Sequence, residues 1–248
     1  KFGKFFPKRI AKDNHERVGL MTGKLPEEVH KVLICLDCDW ELLPLIYEYN
    51  PDLIISHHPF IYGGTKNQVF KWDPSKKELC EIIDSKNIPV YSLHTNFDTG
   101  KGGMNDALAN ALDLKEICAP IKNPMMRIGE LEKPMDALSF AKFAKERFNV
   151  DYSLLINKGK EEVKTVAIIG GGGSRSWKLA KDYDADIYIS GDAPHYVRRD
   201  IVNAKYNYLD MPHEIEKIFM PTMKKFLLDI DNELEVICVD HETLPLVI

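Results

Sequence analysis

Two adjacent imidazoles, His57 and His58, follow the apolar segment "LIIS" at residues 53–56 and are followed directly by Pro59. Neighbouring side chains on a strand point to opposite faces, so such a pair can serve one site only after the strand has ended. Proline cannot donate to a β-ladder and keeps the preceding residue extended, which predicts that the strand ends here. We therefore expect the pair at the carboxyl end of a buried strand, where open α/β sheets bind ligands.

Other segments place histidines and carboxylates after predicted strands or at a helix start. They are His94 and Asp98 after 88–94, Asp192 and His195 after 185–190, and Asp210, His213 and Glu216 within 206–216. Residues three apart face the same way on a helix, so His213 and Glu216 can converge on one ion.

Imidazoles with carboxylates suit Zn²⁺, Mn²⁺ or Fe²⁺, whereas oxygen ligands alone favour Mg²⁺ or Ca²⁺. Such a set is large enough for two ions about 3.5–4 Å apart, bridged by a carboxylate such as Asp98, that activate a water molecule. A single histidine at a strand end is more often a solvated or core residue. The prediction of a metal site therefore depends on several of these strand ends converging.

A glycine run, "IIGGGGSRSW" at 168–177, lies between a predicted strand and a predicted helix. Backbone amides at Gly172, Gly173 and Ser174 could bind a phosphate at the helix N-terminus, with Arg175 as a helper. The run does not match G-x-G-x-x-G, because Arg175 stands where the last glycine belongs, and it lacks the Gly-Lys-Ser/Thr ending of a P-loop. A tight turn with close backbone packing is the favoured alternative.

Strands and helices are predicted to alternate along the chain. The predicted strands are 31–37, 52–56, 88–94, 163–170, 185–190, 206–210 and 234–240, and the predicted helices are 41–49, 75–86 with Ser75 as its cap, 104–114, 135–148, 176–183 and 213–228. This order is typical of an α/β protein with mostly parallel sheets and helices on their faces.

The segments "DLIISHHP" (52–59) and "DIYISGDAPHY" (186–196) share an aspartate, an apolar strand, a serine and then polar residues. This echo indicates two related α/β halves with a site between them. We expect an N-terminal half at 1–120, a short connecting region at 121–162 and a C-terminal half at 163–248, which together form one compact domain.

Composition narrows the class of protein and its partners. The formal net charge of −5 gives no basic field for nucleic acid, and no apolar run approaches the roughly 20 residues of a membrane span. The 5 scattered cysteines argue against a disulfide framework and for a reducing cytoplasm. Cys35 and Cys38 form a C-x-x-C within a predicted strand, where buried structural cysteines are favoured over a redox or zinc pair.

Several segments resemble the NIF-three-like family, whose members are also described as GTP cyclohydrolase I type 2 homologues. The resemblance covers nearly the whole chain and rests on "FPKRIAKDNHERVGLMTG" (6–23), "VLICLD" (32–37), "DLIISHHPFIYGG" (52–64), "VYSLHTNFDTGKGGMNDALANAL" (90–112), "VAIIGGGGS" (166–174) and "ADIYISGDAPHY" (185–196). The I-S-H-H-P and H-T-N-x-D segments are the most specific of these.

The resemblance implies a dinuclear centre with two divalent ions per chain, Zn, Fe or Mn. Its ligands would be His57, His58, Asp98, His213 and Glu216. The family pattern ends with Gly-His and a glutamate four residues on, whereas here Pro212 precedes the histidine and Lys217 stands at the fourth position. Glu216 is thus the ligand least well matched, with Glu214 as a poorer substitute. His94 and His195 are expected either to orient the metal ligands or to contact the substrate.

The family also implies a homo-oligomer, commonly a hexamer, and hydrolysis of a nucleotide or phosphorylated small molecule by metal-activated water. No residue was assigned a catalytic role as acid, base or nucleophile. A non-catalytic metal-binding scaffold or regulator is the alternative, because membership of a family does not fix a reaction.

Overall fold

The computed structural model describes residues 2–13 and 16–247, so residues 14 and 15 of the family-like segment 6–23 lie outside the described residues. The chain divides into two compact units. The first unit comprises Lys1–Gly100 and Phe219–Pro245, and the second comprises Lys101–Ile218 and Leu246–Ile248. These boundaries differ from the sequence-based halves, because the C-terminal segment returns to the first unit.

The strands and helices occur in the following ranges. The strands are β1 (Gly19–Thr22), β2 (Lys31–Cys35), β3 (Leu53–Ser56), β4 (Val90–Ser92), β5 (Lys115–Cys118), β6 (Arg127–Asp136), β7 (Leu154–Ile156), β8 (Glu162–Ile168), β9 (Ile187–Gly191), β10 (Asn207–Met211) and β11 (Glu235–Cys238). The α-helices are α1 (Phe2–Phe5), α2 (Lys8–Asp13), α3 (Leu43–Tyr49), α4 (Lys66–Trp72), α5 (Pro74–Ser85), α6 (Thr95–Thr99), α7 (Met104–Ala111), α8 (Ala137–Phe148), α9 (Trp177–Asp182), α10 (His195–Asn203) and α11 (Phe219–Ile230). Two 3₁₀ turns span Ser174–Ser176 and His213–Ile218.

The sheet of the first unit has the strand order β1-β4-β3-β2-β11. Its strand pairs are parallel except for the antiparallel pair of β1 with β4. This sheet is therefore mostly parallel, as predicted from the sequence. Cys35 pairs with Ser56 and Ser56 with Ser92, so β2, β3 and β4 end at one edge of the sheet. Because parallel strands carry their ligand-binding loops at the carboxyl ends, this edge is where the histidines must lie.

The sheet of the second unit has the order β5-β6-β8-β9-β10-β7. Only β8 with β9 and β9 with β10 are parallel, and the other pairs are antiparallel. The prediction of a mostly parallel sheet is therefore wrong for this unit. The region 121–162, predicted to be a short connection with a helix at 135–148, contributes β6 and β7 as well as this helix, α8. The two strands were not predicted, because the polar and proline-rich sequence hides their periodicity.

Two predicted helix starts differ in detail from the structure. The helix predicted at 75–86 starts at Pro74, and Asp73 rather than Ser75 caps it by accepting from the Lys76 amide at 2.9 Å. The segment predicted as a helix from 213 begins as a 3₁₀ turn and continues as α11. A 3₁₀ turn has three residues per turn, so His213 and Glu216 still lie on one face.

The cysteines and the helices bear on the compartment and membrane expectations. All five cysteines are free thiols, and Cys35 and Cys38 are both buried. Burial raises the pKa of the Cys35 thiol well above its usual value, which opposes formation of a reactive thiolate. Within residues 2–13 and 16–247, no helix has both the length and the apolar character needed to cross a membrane.

Candidate metal centre

His57 is completely buried directly after β3, at the carboxyl edge of the first sheet. Its Nδ1 lies 2.9 Å from the carbonyl oxygen of Leu93. A carbonyl oxygen only accepts hydrogen bonds, so Nδ1 carries a proton, and in the neutral form of the ring the lone pair is then on Nε2. This is the arrangement that a metal-ligating histidine requires.

His58 and His94 are held in the same way by carboxylates. Nδ1 of His58 donates to Oδ2 of Asp37 at 2.6 Å, and Nδ1 of His94 donates to Oε2 of Glu16 at 2.7 Å. Each hydrogen bond fixes the tautomer and the orientation of the ring, which leaves Nε2 as the nitrogen available to a ligand.

The carboxylate of Glu16 is itself well held. Its Oε2 also accepts a hydrogen bond from the Thr95 hydroxyl at 2.8 Å. Burial alone would raise the pKa of Glu16, but the hydrogen bonds from His94 and Thr95, together with the charge of His94, lower it. Glu16 is therefore ionised at neutral pH and can support His94.

The three imidazoles converge. One ring nitrogen from each of His57, His58 and His94 lies within 4.8 Å of the others, and the ring centroids are 5.1–5.7 Å apart. Asp98, on α6, adds a buried carboxylate whose Oδ1 lies 3.6 Å from Nε2 of His57. Imidazoles with a nearby carboxylate are the donor set of Zn²⁺, Fe²⁺ or Mn²⁺, so the residues fit a divalent ion.

A chain of hydroxyl groups positions the His57–His58 turn. Ser56 Oγ donates to the His58 carbonyl at 2.9 Å and lies 2.8 Å from Ser92 Oγ, and Ser92 Oγ accepts from the Phe60 amide at 3.2 Å. Because the Ser56 proton is used on the carbonyl, Ser92 must donate to Ser56. The turn is thus fixed to β4 through side chains that are completely buried.

Aromatic rings cover the back of the His57 imidazole. The Phe219 ring centroid lies 4.8 Å from that of His57 and packs edge-on against Phe97 at 5.0 Å. Phe97 packs in turn against Phe6 at 4.7 Å. This apolar wall keeps water away from one side of the ring and limits rotation of the imidazole.

The second unit holds its own pair of predicted ligands. His213 Nδ1 lies 2.5 Å from Oδ2 of Asp192, and its Nε2 lies 3.0 Å from Oε2 of Glu216. The hydrogen bond to Glu216, aided by the charges of both carboxylates, raises the pKa of His213 to about 9 against the opposing effect of burial. His213 is therefore cationic at neutral pH, and an ion that binds through Nε2 must displace a proton.

Gly171 makes room for the Glu216 carboxylate. Its φ is +59°, and a Cβ at this position would lie 2.1 Å from Oε1 of Glu216 and 3.3 Å from Cε1 of His213. The Gly171 carbonyl accepts from the amides of Gly191 and Gly173 at 2.7 and 2.8 Å. Glycine is needed here both for the backbone conformation and for the close approach of the carboxylate.

The remaining predicted site residues differ in their surroundings. Glu214 is only partly buried, whereas Glu216 is buried beside His213, so the geometry favours Glu216 over Glu214 as the ligand. His195 is exposed at the first position of α10. Its expected role in orienting the metal ligands or contacting the substrate stays a prediction.

The glycine run has its own internal contacts. The Gly170 amide donates to Oδ1 of Asn105 at 2.8 Å, and the Gly173 amide donates to the Gly171 carbonyl. The Ser174 residue is buried, and Gly172 is exposed. Phosphate binding at Gly172, Gly173 and Ser174 stays a prediction. The hydrogen bonds within the run are those expected of a tight turn, which is the alternative interpretation of this segment.

Sequence reasoning missed the residues that orient the rings. Asp37 and Glu16 were not singled out, and Asp192 was noted only as a ligand-type residue at a strand end. Asp37 follows β2 in the same way that His57 follows β3, which is a usable signal. Glu16 is 78 residues from His94 in the chain and has no local pattern that points to it.

A family model described as Duf34/NIF3 (NGG1p interacting factor 3) matches residues 1–245. The chain belongs to this family. It is 30% identical over 208 residues to the GTP cyclohydrolase 1 type 2 homolog of Clostridium perfringens, covering 82% of this chain and 79% of that relative. The homolog from Lactococcus lactis is 29% identical over 248 residues, covering 98% and 95%. The Duf34/NIF3 membership confirms the resemblance read from the sequence.

Solved structures confirm the fold. A Bacillus cereus protein related to NIF3 matches with a TM-score of 0.86 at 21% identity, covering 100% of this chain and 96% of that one. Reduced HcgD from Methanocaldococcus jannaschii matches with a TM-score of 0.80 at 27% identity, covering 96% and 94%. The Duf34/NIF3 chain described here is thus an α/β protein with two sheets, as the sequence predicted.

Proposed function

We propose that this Duf34/NIF3 protein binds two divalent metal ions per chain, Zn, Fe or Mn, and uses them to hydrolyse a nucleotide or phosphorylated small molecule. The observation that carries the proposal is the convergence of three imidazoles whose Nδ1 atoms are all engaged by acceptors. The ligands would be His57, His58, Asp98, His213 and Glu216, to which the geometry adds the ring of His94.

Bound divalent ions would polarise the substrate and bring the pKa of a water molecule to about 7. The residues of the chain prepare this chemistry. Asp37 and Glu16 hold two imidazoles in the ligating tautomer, and Phe219 covers the buried side of His57. His213, cationic without an ion, would have to lose the proton on Nε2 for this nitrogen to hold an ion, and Glu216 would then hold the same ion through its carboxylate.

A metal-binding scaffold without turnover is the second candidate. The observation that favours it is the burial of His57 and Asp98, because buried ligands tie a metal ion to the stability of the fold. The relatives named GTP cyclohydrolase 1 type 2 homolog support the hydrolase instead. We further propose a homo-oligomer, a hexamer by family resemblance, in the cytoplasm.

A turnover screen of nucleotides and phosphoesters distinguishes the two candidates. The samples are metal-reloaded protein, chelator-treated protein, and the variants His57→Ala and His30→Ala. His30 is the matched control, since it is an exposed histidine of the same unit whose Nε2 lies 3.6 Å from the exposed Glu28 carboxylate. Hydrolase function predicts turnover in the wild type and His30→Ala that chelation or His57→Ala abolishes.

Activity that survives metal removal would refute the hydrolase proposal. Full metal occupancy without turnover of any substrate, together with a loss of thermal stability or of the oligomer on chelation, would establish the scaffold instead. Circular dichroism of each variant separates loss of a ligand from loss of the fold.

A further inference from the structure

Two large aromatic side chains are exposed close to the metal-ligating turn in the sequence. Tyr62 is 62% exposed, and Trp72, at the end of α4, is 60% exposed. Tyr62 comes four residues after His58, on the loop that leaves β3, whereas the residues between them point inward: Phe60 is 3% and Ile61 is 0% exposed. Tyr62 therefore differs from the apolar residues just before it, which are buried, in presenting its ring to solvent.

The backbone on both sides of Tyr62 is fixed. The Phe60 amide donates to the buried Ser92 hydroxyl at 3.2 Å. Thr65 caps α4 through a capping box with Gln68, in which each side chain binds the backbone of the other residue. A backbone fixed before binding limits the conformational entropy that is lost when a ligand packs on the exposed ring, which makes Tyr62 suited to binding.

Space next to Tyr62 is open. Gly63 has a φ of +81°, and a Cβ at that position would meet no atom within 4 Å. On the far side, a Cβ at Gly64 would lie 2.8 Å from Cη2 of Trp72, so the indole lies against the backbone there. Position 63 thus places no side chain beside Tyr62, whose own side chain is exposed to an incoming planar group.

The neighbouring loop, after β2, carries a third aromatic residue. Trp40 is 39% exposed, and its indole Nε1 donates to Ser75 Oγ at 2.7 Å. The next residue, Lys76, places its Nζ 4.9 Å from the centroid of the Phe60 ring. This loop also contains Asp37, which holds His58. The loops after the neighbouring strands β2 and β3 therefore each carry an exposed aromatic residue and a residue of the imidazole cluster or its support.

We propose that Tyr62 stacks on the planar heteroaromatic ring of the substrate, while the phosphate end of the same molecule reaches the imidazoles. The inference rests on the proposed function and names the substrate class as a free nucleotide. Four residues of chain span at most about 14 Å, a separation that a base joined through a ribose to its phosphates can bridge. A net charge of −5 disfavours a nucleic-acid strand as the source of the ring.

The test compares the variants Tyr62→Ala and Tyr62→Phe with the matched control Tyr47→Ala. Tyr47 is another exposed tyrosine of the same unit, on α3. Binding of guanosine triphosphate and of inorganic tripolyphosphate, which has the charge but no ring, is measured by equilibrium dialysis with zinc-loaded protein. Metal content and oligomeric state are recorded on the same samples.

Tyr62→Ala is expected to weaken guanosine triphosphate binding about tenfold or more, while tripolyphosphate binding, metal content and assembly stay unchanged. Tyr62→Phe, which keeps the ring, and Tyr47→Ala are expected to bind both ligands like the wild type. Equal affinity of Tyr62→Ala and the wild type for guanosine triphosphate would overturn the stacking proposal alone.

Three other outcomes also overturn the proposal. Equal weakening of both ligands by Tyr62→Ala would show that the ring is not what Tyr62 recognises. A changed oligomeric state would assign Tyr62 to a subunit contact. A metal-loaded wild type that binds neither ligand would refute the nucleotide class itself, and with it the substrate part of the proposed function.

Discussion

Replacing Gly171 by alanine tests the proposed role of Glu216 as a metal ligand separately from its role in folding. The added Cβ would lie 2.1 Å from Oε1 of Glu216, closer than real Cβ contacts come, and 3.0 Å from its Cδ, which is tighter than most real contacts. The buried carboxylate must move, since the Gly171 backbone is held by the amides of Gly191 and Gly173. Glu216 then loses its position beside Nε2 of His213.

Gly171→Ala is expected to change two quantities, the free energy of folding and the affinity for metal. An alanine at a φ of +59° costs about 1–2 kcal/mol of folding free energy in the left-handed region. Displacing a ligand carboxylate adds a loss of metal affinity, which we set at about 10–100-fold from the effect of removing groups that orient metal ligands. Only the loss of metal affinity depends on Glu216 as a ligand.

Gly102→Ala is the matched control in the same unit. Gly102 has a φ of +74°, but a Cβ there would meet no atom within 4 Å, so the substitution brings the backbone cost without the clash. Urea unfolding should show Gly102→Ala destabilised by about 1–2 kcal/mol and Gly171→Ala by at least that much, because only Gly171→Ala adds the clash with Glu216. Competition with a chromophoric chelator should show weaker zinc binding in Gly171→Ala only, and equal zinc affinity in the two variants would refute the role of Glu216 as a ligand.

Two further variants test the carboxylates that support the first unit. Glu16→Gln keeps the shape but removes the charge beside His94, so zinc affinity should fall about 10–100-fold in the chelator assay; Glu28→Gln, an exposed control, should bind like the wild type, and an unchanged Glu16→Gln would contradict the orienting role. Burial alone would lower the pKa of His241, but its hydrogen bond to Asp39 and the charge of Asp39 raise it. Protonated His241 thus stabilises the fold, fully below the unfolded pKa of about 6.5 and no longer once the pH passes the raised native value. The excess unfolding free energy of the wild type over His241→Asn should therefore shrink from pH 5.5 to pH 9 in urea titrations, whereas a difference independent of pH would show that His241 acts only by packing.

Local sequence patterns predicted the strand ends that carry the ligands. The H-H-P turn after β3 and the H-T-N-x-D segment after β4 lie where the apolar runs and proline placed them. Both signals are local, since an apolar run ending in proline or polar residues is a property of a few neighbouring residues. Convergence of His57, His58 and His94 followed once β3 and β4 paired in parallel.

The pairing of strands that are distant in sequence could not be predicted from such local patterns. The final strand, β11, pairs with β2 in the first sheet, although more than 190 residues separate them in sequence and the sequence-based division placed β11 in a C-terminal half. Short apolar strands of this kind fit either sheet, so their periodicity does not specify a partner. β6 was missed for a different reason, because its register shift between Glu130 and Met135 breaks the alternation that marks a strand.

The residues that tune the site were also beyond local patterns. Asp37 and Glu16 lie 21 and 78 residues from the histidines they hold, and each is an ordinary acidic residue in its own segment. The space beside Gly171 depends on a carboxylate 45 positions later in the chain. Such contacts arise from the fold, so the sequence could predict ligands but not the groups that fix their tautomer.

Metal content measured by inductively coupled plasma mass spectrometry tests the central claim most directly. The samples are the wild type, His57→Ala, His58→Ala and the control His30→Ala, purified without chelator and again after reloading with zinc, iron or manganese. The account predicts about two ions per chain in the wild type and in His30→Ala, and a loss in both ligand variants. No metal in the reloaded wild type, or full occupancy in folded His57→Ala and His58→Ala, would contradict it.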